Sequence, residues 1–283
     1  MTTPPAQDAD RLPRDVEWAL EGRLVEASNV VVRLVAPGGE RAVFKPVRGE
    51  RPLSDFPPAS LAHREVATYL VADAAGLRCV PETTWHVDEI LGEGSLQRWV
   101  GPLVPEEQTR VMLFADDELS DAVHPIAAFD TDDGPLVLAH ADDDALRDVA
   151  LLDVLTNNAD RKGSHLIEVA ETPAAPTAAA PVSEGAPAPT SEHRLYAIDH
   201  GLTFHVDDKL RTVLWGFAGE PLSDAHVKAL DALTGHDELR ERLREHLTDD
   251  EVTAFFDRVA TLREAGAFPE PPLDRYPLPW PPV

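Results

Sequence analysis

Cysteine is almost absent from this sequence. Cys79 stands alone, which excludes an intrachain disulfide and a thiolate metal cluster within one chain, and leaves it as a small core residue. Positive charge is short as well. Against 51 acidic residues there are 25 basic ones, a formal net charge of -26, so phosphate-rich partners such as nucleic acid or an anionic bilayer would be repelled at long range. No nucleic acid and no integral membrane contact are expected among the partners, and any phosphate ligand needs a local basic pocket or a metal. Lysine is scarce, with Lys45, Lys162, Lys209 and Lys228 the full set. No apolar run approaches the length of a membrane span, and the opening MTTPPAQDAD lacks the basic and apolar segments of a signal peptide, which makes the cytoplasm the expected compartment.

What is present is a core-forming chain of 283 residues, 43% hydrophobic, enough for one large domain or two lobes. Two stretches organise it: LLDVLTNNADRKGSHLI from Leu151 to Ile167 and LYAIDHG from Leu195 to Gly201. Each places an acid where an apolar run breaks off, Asp160 after a helix and Asp199 at the end of a strand. With Asn158, Arg161 and Lys162 beside the first, these acids suit a site that sets a hydroxyl and a divalent metal against a phosphorylated ligand. Each stretch also has a plain reading, because Asn-Ala-Asp-Arg is ordinary loop chemistry and Ile-Asp-His-Gly an ordinary strand-ending turn.

After a loose tail over 1–13, three short strands are expected near Gly22 to Glu26, Val30 to Val35 and Arg41 to Lys45, in a meander with turns at Ala27-Ser28-Asn29 and Pro37-Gly38-Gly39. Ser28 and Asn29 offer a phosphate hydroxyl and backbone N–H groups, or else make a plain hairpin turn. Lys45 closes the third strand; solvent exposure is the commoner fate of such a lysine. A helix follows, starting after Ser60 as cap and carrying Glu65, which can pair with Lys45 or with an arginine such as Arg64. Val80 to Val87 and Ser95 to Val100 read as strands, and Gln97, Trp99 and Val100 fall where backbone groups can meet an adenine, with Trp99 as plain core the alternative. Residues 105 to 140 read as acidic surface loops and short helices. Asp142 to Asp144 open a helix reaching about Thr156, in which Asp153 needs a partner or an exposed edge and is expected to brace the Asp160 loop. Strands at His165 to Val169 and Arg194 to Ile198 form a hairpin whose tip is a flexible Ala- and Pro-rich insertion over 171–192. Helices are expected over Leu222 to Leu233, Asp237 to His246 and Asp250 to Ala265, with Thr248 and Glu251 as a capping box, before an extended proline-rich tail with Trp280 packed on the body.

With Lys45, Glu65, Asp160 and Asp199 in this order, the sequence resembles the phosphatidylinositol 3/4-kinase-like and HipA-like branch of the protein-kinase superfamily, and more closely an actinobacterial family of such proteins. VFKPVRGERP is similar to the VFKP segment of type II phosphatidylinositol 4-kinases, NADRKGSH to the Asp-Arg-His-x-x-Asn catalytic loop, and AIDHG to the Asp-x-Gly metal motif. The resemblance implies an α+β, two-lobed protein-kinase-like fold: a small β-rich N-lobe over 14–101 and a mostly helical C-lobe over 102–283. It also implies that Lys45 binds nucleotide phosphates, Glu65 orients Lys45, Asp160 serves as base or hydroxyl positioner, and Asp199 holds magnesium. Lys162 stands where the lipid kinases have histidine, and His165 where both branches have a metal-binding asparagine. An imidazole leans away from magnesium, toward manganese or zinc.

Three functions are compatible with these residues. The first is an ATP- and Mg2+-dependent phosphotransferase, with Mn2+ as alternative ion, acting on an alcohol group of a protein or small molecule; adenylyl transfer is its variant, decided by nucleotide orientation. The second is a nucleotide-binding pseudokinase with a regulatory or scaffolding role. The third is a metal hydrolase built on His165, Asp199, His200 and His205, although no HExxH spacing is present.

Overall fold

The structure, a computed structural model, describes residues 11–24, 29–103, 110–115, 118–132, 134–170 and 193–283. Strands β1 (Ala19–Leu24), β2 (Val31–Val35) and β3 (Arg41–Pro46) form the expected antiparallel meander, and β4 (Thr83–Asp88) and β5 (Gly92–Arg98) complete a five-stranded sheet in the order β1-β2-β3-β5-β4. Alternation along β3 buries Ala42 and Phe44 against Leu12, Val32, Leu34 and Leu96, which sends Lys45 to the other face. Close pairing with β5 depends on Gly94, opposite Pro46, where a Cβ would sit 2.3 Å from the Lys45 carbonyl oxygen. Of the first turn, Ala27 and Ser28 lie outside the described residues.

Helix α1 (Leu61–Ala75) is buried on nearly all sides, because it is wedged between β4 and β5 on one side and the later helices on the other. That explains why its apolar residues do not confine themselves to one stripe. Ser60 does not cap it. The Ser60 hydroxyl turns back to the Pro57 carbonyl at 2.6 Å, and Glu50 reaches in to accept from the backbone N–H groups of Leu61 (3.1 Å) and Ala62 (2.8 Å). The buried Arg64 guanidinium donates to the Thr203 carbonyl and to Glu251, pinning α1 to the last helix.

The described residues between 110 and 140 differ from the expected loops and helices. Strands β6 (Val111–Ala115), β7 (Val123–Thr131) and β8 (Gly134–Ala141) form an antiparallel sheet in the order β6-β8-β7. Their alternation is weak because β7 is half-exposed and interrupted by Pro125 and Asp130, and β6 pairs with β8 rather than with its sequence neighbour.

Helix α2 (Asp144–Thr156) is capped by Asp143, whose carboxylate accepts from the N–H groups of Ala145 and Leu146. Strands β9 (Leu166–Ala170) and β10 (His193–Ala197) pair antiparallel, with Ala197 opposite Leu166; the insertion expected between them lies outside the described residues. Helices α3 (Asp224–Leu233), α4 (Asp237–Arg244) and α5 (Asp249–Ala265) follow, and Thr248 and Glu251 make the capping box. In the tail, Leu278 is buried while Trp280 stays 72% exposed, contrary to expectation. Backbone contacts hold this segment instead: the Pro277 carbonyl accepts from Thr212 N–H and the Trp215 indole, and the Pro282 carbonyl accepts from Gly163 N–H at 2.8 Å. The chain therefore has a β-sheet-rich part and a helical part, with α1 in the seam. None of its described helices is long and apolar enough to cross a membrane.

Candidate active site at the seam

Three elements far apart in sequence meet at Lys45. Its Nζ, on β3, donates to Glu65 on α1 and to Asp199 Oδ1 at 2.9 Å, just beyond β10. Burial alone would lower the Lys45 pKa, but the Asp199 and Glu65 carboxylates outweigh it and hold the ammonium above the usual lysine range. Lys45 in turn keeps Asp199 ionised well below the usual carboxylate range, while burial pushes Glu65 up. Asp199 sits at φ +60°, a left-handed conformation that non-glycine residues adopt at a cost, and its side chain stays 54% exposed at the mouth of the site. The Asp199 Oδ2 atom lies 3.5 Å from His165 Nε2. His200 is fully buried, its Nδ1 3.9 Å from Glu65 Oε2, and neither of its ring nitrogens nor Glu65 Oε2 has a hydrogen-bond partner among the described residues.

The Asp160 loop is held from beneath. Asp153 is fully buried on α2 and accepts from Asn158 Nδ2 (2.9 Å), Arg161 Nε (3.1 Å) and Thr212 Oγ1 (3.2 Å). Asn158 Oδ1 accepts from the Asp160 N–H at 3.0 Å. Arg161, equally buried, donates through Nη1 to the Ile198 carbonyl at 2.8 Å, which ties this loop to the residue preceding Asp199. Asp160 itself is partly buried, with Lys162 Nζ 3.4 Å from its Oδ2. Burial raises the Asp160 pKa, Lys162 opposes that, and Asp199 adds to it.

Lys45, Glu65, Asp199 and His165 thus form one connected group, with the Asp160–Lys162 pair close enough for its charge to sense Asp199. Asn158 does not belong among groups that touch a substrate. Its amide is buried and spent on Asp153 and the loop backbone, which makes it a positioning residue. The Asn29 side chain holds the following loop, its Oδ1 accepting from Arg51 N–H at 2.8 Å. Gln97 is buried and donates to Thr83 Oγ1, and Val100 is buried too. The Trp99 N–H goes to the Arg41 carbonyl and its indole to Gly101, with the Arg33 guanidinium stacked 5.0 Å from the ring. Trp99 is therefore a half-buried residue at the sheet edge, outside both buried core clusters. Arg161 as the tie between loops and Arg64 as the anchor of α1 escape sequence reasoning, although an arginine inside an apolar helix is a readable signal.

No group of three His, Cys, Asp or Glu side chains that could hold a metal exists among the described residues, and His205 Nδ1 accepts from the Asp207 N–H. A hydrolytic zinc site takes three protein ligands as a rule, so the hydrolase built on His165, Asp199, His200 and His205 lacks its donor set.

Burial holds His140, His165 and His246 neutral, each with its pKa lowered to about 4. In the unfolded chain they titrate near the ordinary histidine value, so between that value and about pH 4 the unfolded state binds more protons. The stability they permit is complete above about pH 6.5 and is lost as pH falls, by up to about 1.4 kcal/mol per pH unit for His140 and for His165 and by less for the partly exposed His246. Urea unfolding at several pH values from 7.5 to 4.5 should show this decline, whereas a flat profile would mean that the fold does not hold the rings neutral.

Solved structures with which the chain aligns include the Golgi casein kinase with Mn/ADP bound (TM-score 0.47, 14% identity, 88% of this chain and 73% of that one). Hydra Fam20 with sugar also aligns (TM-score 0.49, 14% identity, 88% and 85%), as does the Helicobacter pylori proinflammatory kinase CtkA (TM-score 0.43, 10% identity, 90% and 93%). No family model matches. The chain is 37% identical over 282 residues to Protein Rv2133c of Mycobacterium tuberculosis (strain ATCC 25618 / H37Rv), covering 94% of this chain and 92% of that protein. It belongs to the same family as Protein Rv2133c.

Proposed function

We propose that the protein is an ATP- and divalent-metal-dependent phosphotransferase of the protein-kinase-like superfamily, in its phosphatidylinositol 3/4-kinase-like and HipA-like branch, acting on an alcohol group of a protein or small molecule. One observation carries the reading. A lysine closing a sheet strand is held simultaneously by a helix glutamate and by an aspartate from the end of a later hairpin, the arrangement that nucleotide phosphates and their metal require. In this reading residues 14–101 form the lobe that holds the phosphates and 102–283 the lobe that carries the catalytic and metal loops.

Lys45 binds phosphate oxygens, and Glu65 keeps its ammonium pointed into the site. Asp199 and His165 are the residues that would hold a divalent ion, whose contribution is to neutralise charge on the phosphates. The acceptor oxygen attacks the γ-phosphorus, the bond to the β-phosphate oxygen breaks with its electron pair leaving on ADP, and the hydroxyl proton passes to the Asp160 carboxylate. Lys162 offers positive charge beside that carboxylate. A second reading, nucleotide binding without turnover, is favoured by the imidazole of His165 where the resembling kinases place an amide.

The deciding measurement is a thermal-shift titration with ATP in magnesium, manganese and EDTA, run beside Asp199→Ala. Stabilisation of about 2.7 kcal/mol at a hundredfold excess over the dissociation constant is expected with metal, and its loss in the variant. No stabilisation under either metal would sink both nucleotide readings.

A further inference from the structure

We propose that His165 is itself a ligand of the divalent ion, through Nε2, and that it biases this site toward manganese-type transition-metal ions over magnesium. The inference rests on the phosphotransferase reading and specifies which cation that site takes. Asp199 divides its two oxygens between two neighbours: Oδ1 lies 2.9 Å from Lys45 Nζ, while Oδ2 faces His165 Nε2 at 3.5 Å. Two ligands cis to each other on an octahedral ion, each about 2.1 Å from it, are about 3 Å apart, so these two atoms need to move by only a few tenths of an ångström to share one.

The ring is otherwise uncommitted. His165 Nδ1 is buried and makes no hydrogen bond among the described residues, so no second partner draws Nε2 away from Asp199. Its ring belongs to the short helical turn Gly163–His165, whose first N–H is tied to the Pro282 carbonyl, and whose closing residue Leu166 begins β9. The imidazole is therefore carried on a braced segment. Glu65 Oε2 and both ring nitrogens of His200, the residue after Asp199, are also buried and without hydrogen-bond partners among the described residues.

Two protein ligands suffice where phosphate oxygens and water complete the coordination shell. Their identity sets the preference. Magnesium is a hard ion that favours oxygen alone, whereas first-row transition-metal ions accept an imidazole nitrogen together with a carboxylate. An asparagine at the same place would offer an amide oxygen and remove that bias.

The test uses the full chain with ADP as nucleotide and Mn2+ or Mg2+ as the ion. Half-maximal stabilisation by ADP is expected at roughly tenfold less Mn2+ than Mg2+ in the native chain, with His165→Asn losing most of that ratio. Pulsed electron paramagnetic resonance of Mn2+ with unlabelled ADP on 15N-labelled protein should show coupling to a protein nitrogen, absent from His165→Asn. This readout in the native chain does not depend on how the variant folds. ADP–Mn2+ binding without 15N coupling would overturn this assignment alone. Failure of ADP to bind with either ion would overturn the phosphotransferase reading and the assignment with it.

Discussion

Asp153→Ala should destabilise the folded chain by about 3–5 kcal/mol, the cost of leaving a buried charge without its partner. Asp153 and Arg161 are both at 0% exposure, so the guanidinium stays shielded from bulk water once the carboxylate is gone. Asn158 Nδ2 and Thr212 Oγ1 lose their acceptor in the same substitution. Arg161→Met should cost a similar amount by stranding the carboxylate. The double variant Asp153→Leu/Arg161→Met should lose clearly less than the sum of the two, because neither charge is then left alone. Urea unfolding at pH 7.5 measures all three. A loss below about 1 kcal/mol for Asp153→Ala would mean that the pair is hydrated and is not the brace of the loop. The substitution should also weaken metal-dependent nucleotide binding in whatever fraction remains folded, since Arg161 holds the Ile198 carbonyl at 2.8 Å and so sets where Asp199 begins.

That brace is half legible in the sequence. An aspartate inside ALLDVL cannot stay ionised in an apolar stretch without a partner, so Asp153 announces a structural job. The identity of the partner is harder to read, because Arg161 is eight residues on and returns from a loop whose path depends on Thr212 and the Pro277 tail. The pairing of Lys45 with Glu65 follows from strand-then-helix order, and β9 with β10 from two apolar runs facing each other. Contacts set by remote segments are not readable. Glu50 displaces Ser60 as the cap of α1 only because the loop after β3 folds back over the helix start. The sheet of β6, β7 and β8 hides behind weak alternation, since half-exposed strands need not bury every second residue. Trp280 has the composition of a core residue, yet the tail is fastened through the Pro277 and Pro282 carbonyls and Leu278, which leaves the indole outside.

Asp160→Asn should lower turnover by about 10²–10⁴-fold while leaving metal-dependent nucleotide binding in place, because the amide cannot take the acceptor proton but keeps the shape of the loop. Burial raises the pKa of the Asp160 carboxylate, which makes it a stronger base than a solvated aspartate, and Lys162 at 3.4 Å opposes that rise. The same shift fixes the sign of the stability effect. A carboxyl whose folded pKa is raised stabilises the fold when protonated and loses that contribution as pH climbs through the raised value, so at neutral pH the ionised group is a net cost. Asparagine removes the charge and should leave the melting temperature unchanged or slightly higher, which separates lost catalysis from lost folding. ATP hydrolysis by water serves as the turnover probe while the acceptor alcohol is being sought, with an ADP–Mn2+ titration alongside. The acid limb of the native rate profile should be displaced upward from that of a solvated aspartate and vanish in the variant. Hydrolysis at the native rate in Asp160→Asn would remove Asp160 from the chemistry. Loss of nucleotide binding together with turnover would instead place it among the groups that hold phosphate and metal, beside Asp199.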